Sequence, residues 1–521
     1  MAVSKYKPLS FSTTMRNPER IAPFLLCIEP YEGEILTNDT INQVVKNVIG
    51  AKLYETMYQK KTYKNICDNP DLSFTDTQLD DIVKNSPQSH KEANFDKGWP
   101  SRFDTWYKLP MELGFLYYEM GKPVVISEIG KMLIDAVKQQ NTNSDLIHNV
   151  FLNSMVKYQR KNPFRKVLND NVPLILLLNV LNKLKENNSD STGIYRQEIS
   201  FFICWPNNNA DELYDFIVNF RNKYKIGQYS DEIIYEECLT LLKAKESDKN
   251  YYKMEQITGE AVDEYIRKMR ITGVLSLRGN GRFLDFNTFE MKKIKYVLDQ
   301  YKTYTTFSDK KQYFEYIGGK DANILGIEKS VDTIQENDVR KATLLKFARQ
   351  YDKEKIFDEL RNLCQKRESK DQLLRFMSAP ARFEFLASIA LVQNFDGLDV
   401  CPNYCIDDEG LPTNTALGNV SDIICKENDS TEALVEVTLM RGRSDQINNE
   451  MIPIDRHLEE TKNAFPDAFA IFVAPIIHKD VYKFARFAKF DTGSIIIPYD
   501  INEFIENISS HSKLRELAIS A

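Results

Sequence analysis

The chain has 521 residues, of which 42% are hydrophobic and 27% are charged. This is a globular composition, and at about 100–200 residues per domain it allows roughly two to four domains. The net charge is −7, so the chain as a whole has no basic field, and any contact with nucleic acid must come from local basic patches.

No signal peptide or membrane span is predicted. The N-terminal residues lack a long apolar stretch, and the most apolar segment, 172–184, is too short for a bilayer and contains Asn179 and Asn182. The eight cysteines are scattered through the chain, which favours free thiols over disulfides or a structural metal site. We therefore expect a soluble, intracellular protein without a membrane partner.

The N-terminal part of the chain predicts helices separated by turns. Asn17, Pro18 and Glu19 indicate a helix start, with Asn17 as the cap and Pro18 in the first turn. Residues 76–99 are polar, and we interpret them as a loop-rich connection.

Three later segments, 106–136, 199–221 and 259–289, share a pattern of helices and short strands. The clearest is the third, in which an amphipathic helix precedes two strands joined at Gly279-Asn280-Gly281. Arg278 and Arg282 flank that turn. A helix before a hairpin with basic residues at its tip is typical of a winged-helix module that binds DNA.

We therefore predict a multidomain protein. Its mainly α-helical N-terminal region, 1–295, has winged-helix-like subdomains at roughly 1–140 and 141–295, a module typical of DNA binding. Residues 296–370 are charged with helical spacing and predict a helical linker whose charges form a solvated face. A compact α/β pattern, 371–521, is the predicted catalytic domain.

The residues most suited to chemistry lie in this α/β block. Asp422 begins one predicted strand and Glu436 lies inside the next, so antiparallel pairing brings two carboxylates together at one end of a sheet. Glu384, on the preceding helix, can reach the same end of the sheet as a further metal ligand, directly or through water. Carboxylate oxygens completed by water and phosphate suit Mg²⁺, which predicts a phosphodiester hydrolase.

A less specific interpretation stays open at this point. A glutamate between valines can face solvent, and an aspartate after Ser421 can simply start a strand. The usual nuclease pattern also ends in Glu-x-Lys, whereas Thr438 stands at the third position here.

An ordered set of motifs resembles the AlwI-type family of type IIS restriction endonucleases, which includes double-strand cutters and strand-specific nicking enzymes. The resemblance runs along most of the chain. The stretches that carry it are 12–21, 126–133, 205–209, 272–280, 406–423 (the strongest), 434–438 and 450–458.

The resemblance implies a PD-(D/E)xK-like nuclease domain. Asp422 and Glu436 would bind the metal with Glu384 as a helix-borne acid, and Glu450 and His457 match positions near the catalytic site. It leaves the usual cationic helper unassigned, with Arg441, Arg443 or His457 as candidates. The implied cofactor is Mg²⁺, with Mn²⁺ able to substitute.

The resemblance also implies that residues 1–295 recognise a short asymmetric site in double-stranded DNA and that the cut falls a few bases to one side. Further implied partners are a cognate DNA methyltransferase and a transient homodimer or partner subunit, in a prokaryotic cytoplasm. Arginines suit guanine and lysines suit phosphates. The candidate DNA contacts are Arg16, Arg20, Arg102, Lys157, Arg160, Lys161, Arg165, Lys166, Arg278 and Arg282.

Two other functions remain possible from the sequence. One is a winged-helix DNA-binding regulator with an inactive nuclease-like C-terminal domain. The other is a repair nuclease that recognises DNA structure rather than sequence. Cleavage at one sequence, binding without cleavage, or cleavage independent of sequence would distinguish the three.

Overall fold

The computed structural model describes residues 15–92, 94–138, 144–165, 167, 169–187, 193–225, 228–245, 248–418, 420–428 and 431–519. Its helices are α1 (Ile21–Ile28), α2 (Asn38–Gly50), α3 (Met57–Thr62), α4 (Lys64–Asp68), α5 (Asp76–Asn85), α6 (Trp99–Glu112), α7 (Glu128–Lys138), α8 (Ser144–Met155), α9 (Pro173–Asn187), α10 (Ile199–Cys204), α11 (Ala210–Lys223), α12 (Asp231–Leu241), α13 (Ala261–Arg270), α14 (Met291–Gln300), α15 (Lys310–Ile317), α16 (Ala322–Gly326), α17 (Thr333–Gln350), α18 (Lys353–Cys364), α19 (Ala379–Asn394), α20 (Arg443–Asp445), α21 (Ile452–Lys462), α22 (Lys479–Asp491), α23 (Ile501–Ser510) and α24 (Glu516–Ile519). Its strands are β1 (Leu116–Tyr117), β2 (Val125–Ile126), β3 (Ile194–Tyr195), β4 (Leu275–Arg278), β5 (Phe283–Phe286), β6 (Asp399–Pro402), β7 (Tyr404–Ile406), β8 (Pro412–Ala416), β9 (Ile423–Asn428), β10 (Thr431–Val437), β11 (Phe469–Ala474) and β12 (Ile496–Asp500).

The chain divides into two compact units. The helical unit comprises the described parts of Met1–Gln59, Thr75–Gln139 and Asp145–Ser330, and the sheet unit those of Lys60–Phe74, Gln140–Ser144 and Val331–Ala521. The segment predicted as a linker, 296–370, is divided between them, because α17 and α18 pack against α19 in the sheet unit. That one unit recognises DNA and the other cuts it stays a prediction.

The predicted helix start near the N-terminus is confirmed. The Asn17 side chain accepts a hydrogen bond of 3.1 Å from the backbone N–H of Glu19, and a 3₁₀ turn, Pro18–Arg20, leads into α1. An Asn cap followed by Pro satisfies or removes the exposed donors of the first turn.

The loop predicted over 76–99 is wrong in its first half, which forms α5. Thr75 and Gln78 form a capping box, in which each side chain accepts a hydrogen bond from the backbone of the other. This reciprocal pairing starts a helix, and the helix buries Leu79 and Ile82. The polar residues that suggested a loop occupy its exposed face.

The three segments do not share one pattern. The first agrees with the prediction, since β1 and β2 pair antiparallel and the Ser127 hydroxyl accepts from the Gly130 N–H at the start of α7. The second consists of the helices α10 and α11, and none of its residues, which are all described, lies in a strand. The third has the predicted hairpin of β4 and β5, which β3 extends into a sheet of order β3-β5-β4 within the described residues. The winged-helix interpretation stays a prediction.

The sheet unit contains a mixed sheet, which in the described part of the chain has the order β12-β11-β10-β9-β6. β10, β11 and β12 are parallel, whereas β9 pairs antiparallel with β10 and with β6. One face of the sheet packs against α21 and α22 through Leu434, Phe472, Leu458 and Ala485. Glu384 lies on a helix, α19, as predicted, and the connection from α19 to β9, which the sequence indicates as a loop, contains β6 and the β7–β8 hairpin.

Across the described ranges, no helix is long and apolar enough to cross a membrane. The eight cysteines all fall within those ranges and all are free, as predicted.

Candidate active site

Asp422 and Glu436 lie at the same end of the mixed sheet. Asp422 immediately precedes β9 and Glu436 is the penultimate residue of β10, one position beyond the Val435–Ile423 pair. The Asp422 N–H donates to Glu436 Oε2 (3.2 Å), and the Val437 N–H donates to Asp422 Oδ2 (2.9 Å). The predicted adjacency of the two carboxylates is therefore confirmed.

Glu384 reaches the same group from the middle of α19. Its side chain is buried, and its Oε2 accepts a hydrogen bond of 3.0 Å from the Ala416 N–H at the end of β8. The β7–β8 hairpin thus fixes the position of this carboxylate. The sequence predicts Glu384 at this end of the sheet but gives no sign of the hairpin.

The carboxylates are close enough to oppose each other's ionisation. The pKa of Glu384 is raised well above its usual value by burial and by the charges of Glu436 and Glu450. The pKa of Asp422 is raised by burial and by Glu384 and Glu436, although its hydrogen bond from Val437 acts in the opposite direction. Like charges that share a buried site destabilise the ionised forms, and a bound cation reverses this effect.

Glu450 and His457 come from the helical segment that follows β10. A π-helical turn, Gln446–Met451, carries Glu450 and continues into α21, which carries His457. Such turns are frequent at functional sites because they shift the phase of the side chains that follow. Burial and the charge of Glu436 raise the pKa of Glu450 to about 7, against a hydrogen bond from Thr438.

His457 is the nearest basic side chain to Glu436, with 3.9 Å between His457 Nδ1 and Glu436 Oε1. Both ring nitrogens and Glu436 Oε1 are buried and have no hydrogen-bond partner within the described structure. Buried polar atoms left in this way are costly unless a ligand or solvent completes them. The arrangement is suited to receiving a further group.

The two arginines considered as a cationic helper point elsewhere. The Arg441 guanidinium donates to the Cys364 carbonyl, and the Arg443 guanidinium lies 3.6 Å from Asp480. Of the three candidates, only His457 adjoins the carboxylates.

The donor set fits a hard divalent cation. Asp422 and Glu436 supply carboxylate oxygens, and one of these, Glu436 Oε1, lacks a partner in the described structure. No group of three or more His, Cys, Asp or Glu within the described ranges could hold a metal ion as it stands. A magnesium ion that keeps several waters and takes one or two carboxylates together with a substrate phosphate requires no larger set.

Three of the basic residues predicted to contact DNA bind partners inside the protein instead. Lys157 Nζ donates to the Gly319 carbonyl (2.6 Å), and Arg160 donates to the Ile203 carbonyl (2.9 Å). Arg165 pairs with the fully buried Glu112 at 2.9 Å. These three basic residues stabilise the helical unit, and in this conformation they offer no charge to DNA.

The other candidates lie nearer the surface. Arg16 pairs with Glu260, Arg20 donates to the Leu53 carbonyl, Arg102 contacts Gln88 and Tyr54, and Lys161 lies 3.7 Å from Asp170. At the hairpin tip, Arg278 pairs with Asp285, whereas Arg282 is exposed and donates to the Gly279 carbonyl. Lys166 and the motif residue Ser12 lie outside the described residues.

The β4–β5 turn shows why its sequence is rich in glycine. Gly279, Asn280 and Gly281 all have positive φ, at 59°, 57° and 85°. Glycine and asparagine are the residues that adopt this conformation at low cost. The turn therefore presents Arg282 on a short and well-defined tip.

Comparison with known proteins now identifies the chain. The family model described as AlwI restriction endonuclease matches residues 111–324 and 316–507, which together make up well over half of the sequence. The chain belongs to the AlwI restriction endonuclease family. As a family member it is a site-specific deoxyribonuclease, and the hypothesis of an inactive regulator is set aside.

Solved structures with some similarity are also restriction endonucleases. The small subunit (R.BspD6I2) of the heterodimeric restriction endonuclease R.BspD6I has 22% identity and a TM-score of 0.26, over 32% of this chain and 87% of its own. The restriction endonuclease FokI has 12% identity and a TM-score of 0.24, over 97% of this chain and 95% of its own. The structure of FokI bound to DNA has 12% identity and a TM-score of 0.24, over 99% of this chain and 97% of its own.

A search of curated proteins gave no significant match.

Proposed function

We propose that this AlwI-family enzyme is a type IIS endonuclease that hydrolyses DNA with Mg²⁺ held by Asp422 and Glu436. The observation that carries the proposal is the pair itself. The two carboxylates are held side by side at one end of the sheet, because Glu436 Oε2 accepts from the Asp422 N–H and Asp422 Oδ2 accepts from the Val437 N–H. Glu436 Oε1 is buried and has no hydrogen-bond partner in the described structure. Bound there, the ion would stabilise charge on the phosphate and lower the pKa of a water. Mn²⁺ has similar ligand preferences, and we expect it to substitute.

The protein's own groups supply orientation and proton transfer. Glu384 is held by the Ala416 N–H and completes the acidic edge. Glu450, whose pKa is raised to about 7, can exchange a proton near neutral pH. His457 has both ring nitrogens free of partners in the described structure, so it can donate a hydrogen bond to a phosphate oxygen or orient Glu436. We assign to His457 the role of the lysine in the usual Glu-x-Lys pattern, because this chain has Thr438 at the position of that lysine.

Site recognition is proposed for the helical unit. Arg16, Lys161 and Arg282 are exposed there and can contact phosphates or base edges. The target would be a short asymmetric sequence, with the cut a few bases to one side. Since one carboxylate set cuts one strand at a time, double-strand cleavage needs a second copy, a partner subunit or a second engagement. A cognate DNA methyltransferase would protect the host's own sites.

Near-isosteric variants test the site. Asp422→Asn and Glu436→Gln should abolish cleavage of supercoiled plasmid in Mg²⁺ and leave DNA binding intact. A matched control is Glu432→Gln, because Glu432 lies on the same strand, is also buried and has Lys426 as its ion-pair partner at 3.4 Å. It should retain cleavage. Full cleavage by Asp422→Asn or Glu436→Gln would contradict the assignment.

The second measurement on these variants is thermal unfolding without metal. Removing one negative charge from a cluster of like charges relieves repulsion, so both should melt at the wild-type temperature or above it. A loss of cleavage accompanied by a large fall in melting temperature would report misfolding instead of lost chemistry.

A further inference from the structure

A cavity lies in the sheet unit, outside the carboxylate site. It has a volume of about 430 Å³ and is lined by Arg443, Lys479, His478, Asp445 and Asp71, among others. Arg443 and Lys479 are exposed, and 58% of the Arg443 side chain is accessible. The proposed mechanism uses none of these residues.

The cavity adjoins the catalytic end of the sheet. Arg443 follows the end of β10, which carries Glu436, and His478 follows the end of β11. Since β10 and β11 are parallel, the connections that follow them both leave the sheet at the same end. The fully buried Gln446 fastens them together, because its amide donates to the Met440 (3.1 Å) and Ile476 (2.7 Å) carbonyls.

The cavity already holds an oxyanion that belongs to the chain. The Asp71 carboxylate accepts a hydrogen bond from the Arg443 N–H and lies 3.7 Å from His478 Nε2. Asp71 comes from Lys60–Phe74, a segment of the sheet unit that is remote in sequence from the rest of the cavity. The other acidic groups are Asp445 on the rim and Asp480, which pairs with Arg443 and Lys483.

We propose that this cavity binds a phosphate of the DNA backbone next to the cleaved one, and that Asp71 competes with DNA for it. The inference rests on the proposed function, which places a scissile phosphate at Asp422 and Glu436. An enzyme that holds one phosphate at a sheet edge is oriented by contacts to neighbouring phosphates. Arg443 and Lys479 supply positive charge at that edge. Asp71 occupies the position beside the Arg443 N–H and His478 Nε2 until DNA displaces it.

The proposal predicts that removing a positive charge from the cavity weakens DNA binding and that removing the Asp71 charge strengthens it. The full-length protein is titrated with a labelled duplex, without divalent metal, over a series of salt concentrations. Arg443→Gln and Lys479→Gln should each weaken binding about three- to tenfold and reduce the slope of log K against log salt by about 0.9. Asp71→Asn should strengthen binding, because Asn keeps an acceptor for the Arg443 N–H and loses the competing charge. Lys489→Gln, on α22 outside the cavity, is the control and should leave the slope unchanged.

A double variant separates competition from structural support. If Asp71 competes for the cavity, its gain should disappear in Asp71→Asn/Arg443→Gln. Weaker or unchanged binding by Asp71→Asn, or unchanged salt slopes for both Arg443→Gln and Lys479→Gln, would overturn the proposal. If such a binding result is found and Asp422→Asn still loses cleavage, the proposal of a phosphate-binding cavity is wrong, and the proposed catalytic site stands. If Asp422→Asn cleaves fully, the assignment of the catalytic site is wrong, whatever the binding data show.

Discussion

The carboxylates around the start of β9 and the end of β10 repel one another when ionised, and this makes the stability of the metal-free protein depend on pH. The pKa values of Glu384, Asp422 and Glu450 are all raised by burial and by neighbouring carboxylates. Between the ordinary carboxyl values near 4 and these raised values, the folded protein holds protons that the unfolded chain has released. The stability of the metal-free protein therefore falls as pH rises through that window.

We expect the melting temperature of the metal-free protein to fall between about pH 5 and pH 8 because of these groups. Mg²⁺ should restore more stability at pH 8 than at pH 6, since the ion must displace protons at the lower pH. Thermal unfolding with and without Mg²⁺ measures both effects, and Glu450→Gln should flatten the pH dependence. A Mg²⁺ effect that is equal at the two pH values would contradict this account.

His457 can be tested without disturbing its packing. Phenylalanine keeps the ring and removes both nitrogens, which have no partners in the described structure. His457→Phe should thus melt at or above the wild-type temperature, while kcat for plasmid cleavage falls by about a hundredfold or more. If kcat stays at the wild-type value, His457 is a packing residue and the cationic role is unassigned again.

The placement of the active-site pair could be predicted because it depends on local pattern. An aspartate at a strand start and a glutamate inside the next strand meet when the strands pair antiparallel, and Asp422 and Glu436 do so. The place of Asp71 beside Arg443 could not be predicted. These residues are 372 positions apart in sequence, and no periodicity or motif records such a contact.

At the level of elements, Arg278 and Arg282 of the β4–β5 hairpin have different roles, although the sequence predicts DNA contact for both. Arg278 donates to Asp285 and to the Phe286 carbonyl, and so stabilises the hairpin. Arg282 is exposed beyond the turn. Arg278→Gln should lower the melting temperature, whereas Arg282→Gln should leave it unchanged and weaken DNA binding. Equal DNA affinity of Arg282→Gln and wild type would exclude the hairpin tip from the DNA interface.

Most helices and strands were predictable where apolar periodicity and caps agreed, as in α7, α19, β4 and β5. The failures have specific physical causes. α5 was missed because its capping box at Thr75 and Gln78 was interpreted as loop polarity. β7 and β8 were missed because Asn, Pro and Gly around Asp407 suggested a loop, and their pairing is irregular, with register shifts. The π-helical turn before α21 has no distinct sequence signal.

At the level of the whole molecule, a net charge of −7 requires DNA binding to rest on local basic groups. With one carboxylate set per chain in the proposal, the two strands are cut in separate events. Supercoiled plasmid should therefore appear first as nicked circles, and any linear product should follow later. Time courses at several enzyme concentrations measure this order. Linear product that forms without a nicked intermediate would show that both strands are cut in a single engagement.

Asp422 and Glu436 are proposed here as the centre of a Mg²⁺-dependent, site-specific endonuclease, and the cleavage products test this directly. The most direct measurement is to sequence the ends produced from a defined plasmid by the wild-type protein and by Asp422→Asn, with and without Mg²⁺. We predict ends at a fixed offset to one side of one short asymmetric sequence, formed by the wild-type protein only with Mg²⁺ and not formed by Asp422→Asn. Ends scattered without regard to sequence, or the same ends produced by Asp422→Asn, would contradict the account.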